Sequence, residues 1–106
     1  MTRFRIEPAA SAHLDEIYDY TADRWGEAQA DLYIRGLFDR FAHIATRRSP
    51  WRRIPADYQT DGFYCRHERH YIYWKLRSDA GIAIVLILHE RMSQPLHVRH
   101  GFEGAD

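Results

Sequence analysis

Arg91 and His97 are the pair whose types and spacing suit phosphoryl chemistry. A guanidinium can clamp a phosphate, and an imidazole six residues further on can act as general acid or base. Arg66, Arg69 and Lys75 add positive charge upstream. Arginine cannot serve as a base, however, so this set offers a clamp with a single titrating group near neutral pH. The same stretch also reads as a contact surface. His89-Glu90-Arg91-Met92 follows seven residues, Ile82 to Leu88, with no polar side chain among them. Seven histidines raise the question of a metal, and His67/His70 and His97/His100 are each spaced by three. No cysteine pair joins them, and a tetrahedral site needs three or four converging ligands. We expect no metal and no cofactor. Cys65 is the only cysteine, which excludes an internal disulfide. No base with an orienting partner marks it as a nucleophile.

The elements that must position these residues follow from periodicity. A short continuous apolar run between Ser78-Asp79-Ala80-Gly81 and His89 predicts a strand buried on both faces. Upstream, Arg69 to Arg77 alternates. His70, Ile72, Trp74 and Leu76 share one face, and Tyr71, Tyr73, Lys75 and Arg77 the other. Phe63 to Arg66 forms a preceding strand, turned at His67-Glu68. Ser49 to Gln59, with Pro50 and Pro55, reads as loop. At the start, Phe4 and Ile6 alternate with Arg3, Arg5 and Glu7, predicting a short half-buried strand. Pro8 then suits the first turn of a helix. Ala10, Leu14, Ile17, Thr21 and Trp25 give one apolar stripe, ended at Gly26. Ala30, Ile34, Leu37, Phe41 and Ile44 give a second, which frays by Arg47. With only Gly26 between them, the two helices form an antiparallel hairpin.

The result is an α+β fold of order β-α-α-β-β-β: an N-terminal strand, a helix hairpin, then antiparallel strands. Its 106 residues make a single domain, residues 1–106. The helices cover one face of the sheet. The other face has less cover and presents tyrosines and basic residues, which suits a partner. Trp25, Trp51 and Trp74 read as core and loop anchors, and His97 to His100 as a solvated tail. The longest apolar run falls far short of the roughly 20 residues of a membrane-spanning helix. No signal-peptide core opens the chain, so a cytoplasmic location fits. Net charge is zero but unevenly spread. Residues 1–46 carry five Arg against eight carboxylates, while residues 47–77 carry eight basic residues against three. A neutral total argues against sequence-specific DNA binding by this chain. The arginine-rich segment suits an acidic protein partner.

Four stretches in order give this reading a family. Ala12-His13-Leu14-Asp15-Glu16-Ile17-Tyr18-Asp19-Tyr20, Arg24-Trp25-Gly26-Glu27-Ala28-Gln29-Ala30, Arg69-His70-Tyr71-Ile72-Tyr73 and Ile87-Leu88-His89-Glu90-Arg91-Met92 resemble ParE-type toxins. These belong to type II toxin–antitoxin modules within the RelE/ParE superfamily. Ser93 stands where the family usually has Asp. The resemblance implies a toxin that poisons DNA gyrase without catalysis of its own. It also implies a ParD-like antitoxin whose C-terminal segment folds as it wraps the toxin in a hetero-oligomer. The RelE branch implies a ribosome-dependent mRNA endonuclease instead, with Arg91 and His97 as its catalytic candidates. A third possibility is an inactive toxin kept as an antitoxin-binding module. On the gyrase reading, His89, Glu90, Arg91, Met92 and His97 form the effector surface. Arg66, Arg69, Tyr71 and Tyr73 receive the antitoxin, its acids on the arginines.

Overall fold

The computed structural model describes residues 3–105. Strand β1 (Phe4–Ile6) leads directly into helix α1 (Pro8–Trp25), with Pro8 in the first turn. There its missing N–H costs nothing. Ala10, Leu14 and Ile17 form the buried face of α1. Gly26 ends α1 and starts α2 (Glu27–Ala45), with φ of 95°, a conformation that side chains other than glycine rarely adopt. The buried stripe of α2 is Ala30, Leu37, Phe41 and Ile44, close to the expected one. Trp51 then anchors the departing chain. Its indole N–H donates to the Ile44 carbonyl at 2.8 Å, and the Arg47 guanidinium lies 3.4 Å from its ring centroid.

The segment expected to be loop contains a two-residue strand, β2 (Arg52–Arg53), and a 3-10 turn (Ala56–Tyr58). Strands β3 (Phe63–His67), β4 (His70–Leu76) and β5 (Ile82–His89) follow. The five strands lie in the order β1-β5-β4-β3-β2. The pairs β2–β3, β3–β4 and β4–β5 are antiparallel, and β1 lies parallel to β5, so the sheet is mixed. The predicted β-α-α-β-β-β order stands within this arrangement, with two additions: β2 and a C-terminal helix.

β5 is buried from end to end before His89. Its faces do not simply alternate. Tyr73 pairs with Leu86 but Trp74 pairs with Ile84, leaving Val85 as a bulge residue. Ile82, Ile84 and Ile87 join Ile72 and Trp74 against α1 and α2. Val85, Leu86 and Leu88 join Tyr73 on the opposite face. The bulge thus gives that face two consecutive apolar side chains. Leaving them in water would forfeit about 1.5–3 kcal/mol each.

The cover for them is helix α3 (Gln94–Glu103). This corrects the expectation of an open second face and a solvated tail. Val98 is fully buried there, and Phe102 packs on the same cluster. The start signal was present in Ser93 and Pro95, and Val98 and Phe102 are one helical spacing apart. Close approach depends on Gly101, where an added Cβ would lie 2.5 Å from the Leu86 side chain. Two further residues depart from expectation. Trp25 is 73% exposed at the tip of the helix hairpin, and Leu76 is 51% exposed at the last position of β4. In both cases the apolar periodicity runs one residue past the layer that would cover it.

Gly101→Ala is expected to destabilise the chain by about 1–3 kcal/mol through overpacking against Leu86. Urea unfolding checks this. The loss should register as a lower midpoint with little change in slope.

Candidate functional site

The buried β5 delivers His89 to the end of the sheet, and the chain turns there through Glu90, Arg91 and Met92. The Glu90 N–H donates to the Arg69 carbonyl at 2.9 Å, tying this turn to the β3–β4 turn. The Met92 N–H donates to the His89 carbonyl at 3.0 Å, and the Arg91 N–H to His89 Nδ1 at 3.1 Å. Gln94 braces the turn from the other side. Its amide group donates to the carbonyls of His89 and Met92, both at 2.9 Å, while its Oε1 accepts from the Tyr73 hydroxyl at 2.7 Å. The Arg91 and Met92 side chains stay exposed on this braced backbone.

His67, His70 and His89 form a row across three strands, since His67 pairs with His70 and His70 with His89. The His70 and His89 rings meet edge to face, 5.3 Å between centroids. Tyr33 of α2 reaches the row, its hydroxyl 2.6 Å from His70 Nδ1. The same hydroxyl lies within 3.5 Å of the His67 carbonyl, a longer contact than the one to His70. Burial raises the Tyr33 pKa to about 12, which keeps the hydroxyl protonated. Burial first, then the neighbouring His89 and His67, lowers His70 to about 4. His67 is lowered as well, by burial and then by Arg40, whose Nε donates to its Nδ1 at 3.3 Å. Among the described residues no group of three or more His, Cys, Asp or Glu is arranged to hold a metal ion. Cys65 is buried, and burial lifts its thiol to about 11, leaving it protonated at neutral pH.

The sequence-derived sets divide on inspection. His89, Glu90, Arg91 and Met92 lie together on the braced turn. His97 is exposed on α3, and no hydrogen bond joins it to Arg91 among the described residues. Among the described residues Arg91 makes no ion pair with the first helix either. In the other set, Arg66 pairs with Glu90 and its guanidinium lies 5.8 Å from the Tyr71 ring centroid. Arg69 is exposed and Tyr71 half-buried. Tyr73 does not belong on this surface: it is 2% exposed, lying beneath α3. It works from inside, through Gln94.

Three residues that sequence reasoning passed over take part here. Gln94 and Tyr33 are described above. The third is His13 of α1, whose Nδ1 accepts the Ile87 N–H at 3.3 Å, beyond the point where β1 stops pairing with β5. Burial lowers its pKa, while Glu16 raises it and His97 lowers it. The signal for His13 was its place beside the apolar stripe of α1. Gln94 carried none beyond its position before Pro95.

Residues 4–94 match the family described as the ParE toxin of the type II toxin–antitoxin system parDE. The chain belongs to the ParE toxin family. It is 35% identical to Toxin ParE1 of Mycobacterium tuberculosis (strain ATCC 25618 / H37Rv) over 94 residues, covering 86% of this chain and 92% of that protein. It is 33% identical to Toxin ParE of Escherichia coli over 92 residues, covering 87% and 88%. Among solved structures, a chain of the chromosomal ParDE system from P. aeruginosa shares the fold with a TM-score of 0.67. That likeness is at 17% identity and covers 84% of this chain and 96% of the other. The ParE match takes in the whole His89–Met92 turn and ends at Gln94, the residue that braces it. Among the described residues no helix is long and apolar enough to cross a membrane.

The lowered pKa of His70 predicts a pH dependence of stability. Between about 6.5 and about 4 the unfolded chain holds a proton on this residue that the folded chain does not. Stability therefore rises with pH across that window and is progressively lost as pH falls through it. Urea midpoints measured from pH 7 to 4 should show this slope, and His70→Gln should flatten it.

Proposed function

We propose that this ParE-family chain inhibits DNA gyrase and is neutralised by a cognate ParD-like antitoxin in a hetero-oligomer. In this reading it acts in the cytoplasm as part of a plasmid-stabilisation module. The effector surface is the turn from His89 to Met92, together with His97. One observation carries the reading beyond family membership. The turn is braced by backbone and Gln94 hydrogen bonds while its Arg91 and Met92 side chains are left exposed. A rigid turn presenting one cation beside one apolar side chain suits protein contact. Cleaving RNA needs proton-transfer groups held beside the Arg91 clamp, and among the described residues His97 makes no hydrogen bond with it.

The antitoxin surface in this reading is Arg66, Arg69 and Tyr71. Acidic side chains of the antitoxin would compete with Glu90 for Arg66, and its apolar side chains would pack on the exposed part of Tyr71. Because Glu90 belongs to the effector turn, occupation of this surface also touches the effector end. Inhibition then combines covering with restraint.

Inducible expression of the chain alone, scored for growth, DNA damage and mRNA integrity, tests the toxin reading. Growth arrest with DNA damage and intact mRNA is expected, and Arg91→Ala should relieve the arrest. Early mRNA cleavage suppressed by both Arg91→Ala and His97→Ala would replace this reading with the endonuclease one. A soluble, folded chain that causes no arrest would leave antitoxin binding alone. For the antitoxin surface, the double variant Arg66→Ala/Arg69→Ala should weaken antitoxin binding by at least about tenfold, in line with loss of charge-assisted contacts. Calorimetric titration with the purified antitoxin measures it.

A further inference from the structure

We infer that Tyr33 and His70 are positioning residues for the effector turn, connecting helix α2 to the backbone of Arg91. This rests on the effector reading above. The connection has three links, each with its own geometry. The Tyr33 hydroxyl is hydrogen-bonded to His70 Nδ1 at 2.6 Å. The His70 ring stands edge to face against the His89 ring at 5.3 Å, on directly opposed positions of β4 and β5. His89 Nδ1 accepts the Arg91 N–H at 3.1 Å. Each link limits the freedom of the next. The hydroxyl fixes the rotation of the His70 ring, that ring fixes the face His89 offers, and His89 fixes the amide that aims Arg91.

The environment suits a fixed linkage. His70 is held neutral and Tyr33 keeps its proton, so the two meet as uncharged hydrogen-bond partners. Several charged groups surround the row. Arg40 of α2 donates to His67, and Glu68 lies 3.6 Å from the other nitrogen of that ring. Glu90 acts electrostatically on both His70 and Tyr33, and Arg69 on Tyr33. Tyr33 also packs its ring on both His67 and His70, 5.8 and 5.4 Å between centroids. It touches the row at two points and is only half-buried itself. A partner gripping the outer part of α2 near Tyr33 would therefore bear on the aim of Arg91 without touching it. The other brace, Tyr73 to Gln94, comes from the opposite face of the sheet, so the turn is held from both sides.

Tyr33→Phe tests this, because it keeps the ring contacts and removes only the hydroxyl. Three readouts are taken on the full chain: the His70 side-chain titration by NMR, the resonances of the His89 ring and the Arg91 amide, and inhibition of gyrase supercoiling. The expected result is a changed His70 pKa, shifted His89 and Arg91 resonances, and about fivefold more toxin needed for half-inhibition, the size of one lost hydrogen bond. A His70→Phe variant should move the same Arg91 amide. Unmoved His89 and Arg91 resonances in Tyr33→Phe would overturn the inference, whatever happens to inhibition. If the wild-type chain leaves gyrase untouched, the function proposed above falls, and the resonance shifts still decide whether Tyr33 positions Arg91. A merely structural role for Tyr33 predicts a lower unfolding midpoint with the Arg91 amide in place, and that outcome also overturns it.

Discussion

The burial of β5 on both faces is the constraint on which the rest of this molecule depends. A strand with no polar side chain from Ile82 to Leu88 needs a layer on each side and a neighbour on each edge. The helix hairpin supplies one layer and α3 the other. β4 closes one edge along its whole length, while β1 closes the other only as far as Ile84. The bulge at Val85 sets how the apolar side chains are shared between the two layers. Without it, strict alternation would turn either Val85 or Leu86 toward the helix hairpin. Placing two adjacent apolar residues on the far face makes a covering helix necessary, and the docking of α3 in turn fixes Gln94 against Tyr73. The bracing of the turn from His89 to Met92 is thus a late consequence of where one extra residue falls.

Much of this could be read from the chain, and the parts that could not share one physical cause. Both helices of the hairpin and the strands β3 to β5 follow from apolar periodicity and from the glycine between the helices. Periodicity reports which side of an element is buried, but not what lies opposite. The alternation at Tyr71 and Tyr73 therefore looked like a single exposed face, although α3 buries Tyr73 and leaves Tyr71 partly open. α3 itself has only Val98 fully buried, too little apolar content to stand out in ten residues. β2 is two residues long and exposed, held by backbone pairing to Phe63 and Tyr64, which composition cannot reveal.

The candidate site divides in the same way. The change from Leu88 to His89 marks a strand end in any sequence, and the turn is there. What holds the turn comes from elsewhere in the chain: Tyr33 lies 37 residues before its partner His70, and Tyr73 lies 21 before Gln94. Long-range polar contacts leave no periodic trace. They become visible only when register brings three histidines into one row.

His13 closes the edge of β5 where β1 runs out, by accepting the Ile87 N–H. An imidazole does this only while its Nδ1 is unprotonated, and burial favours that form. The Ile87 amide, past the end of the β1 pairing, is thus guarded by a side chain whose guard is withdrawn by acid. Native sheets usually protect such edges with charge, proline or a bulge, none of which depends on pH in this way. Protonation of His13 removes the acceptor and leaves the Ile87 N–H without its partner, so acid loosens the sheet at the point where β1 ends.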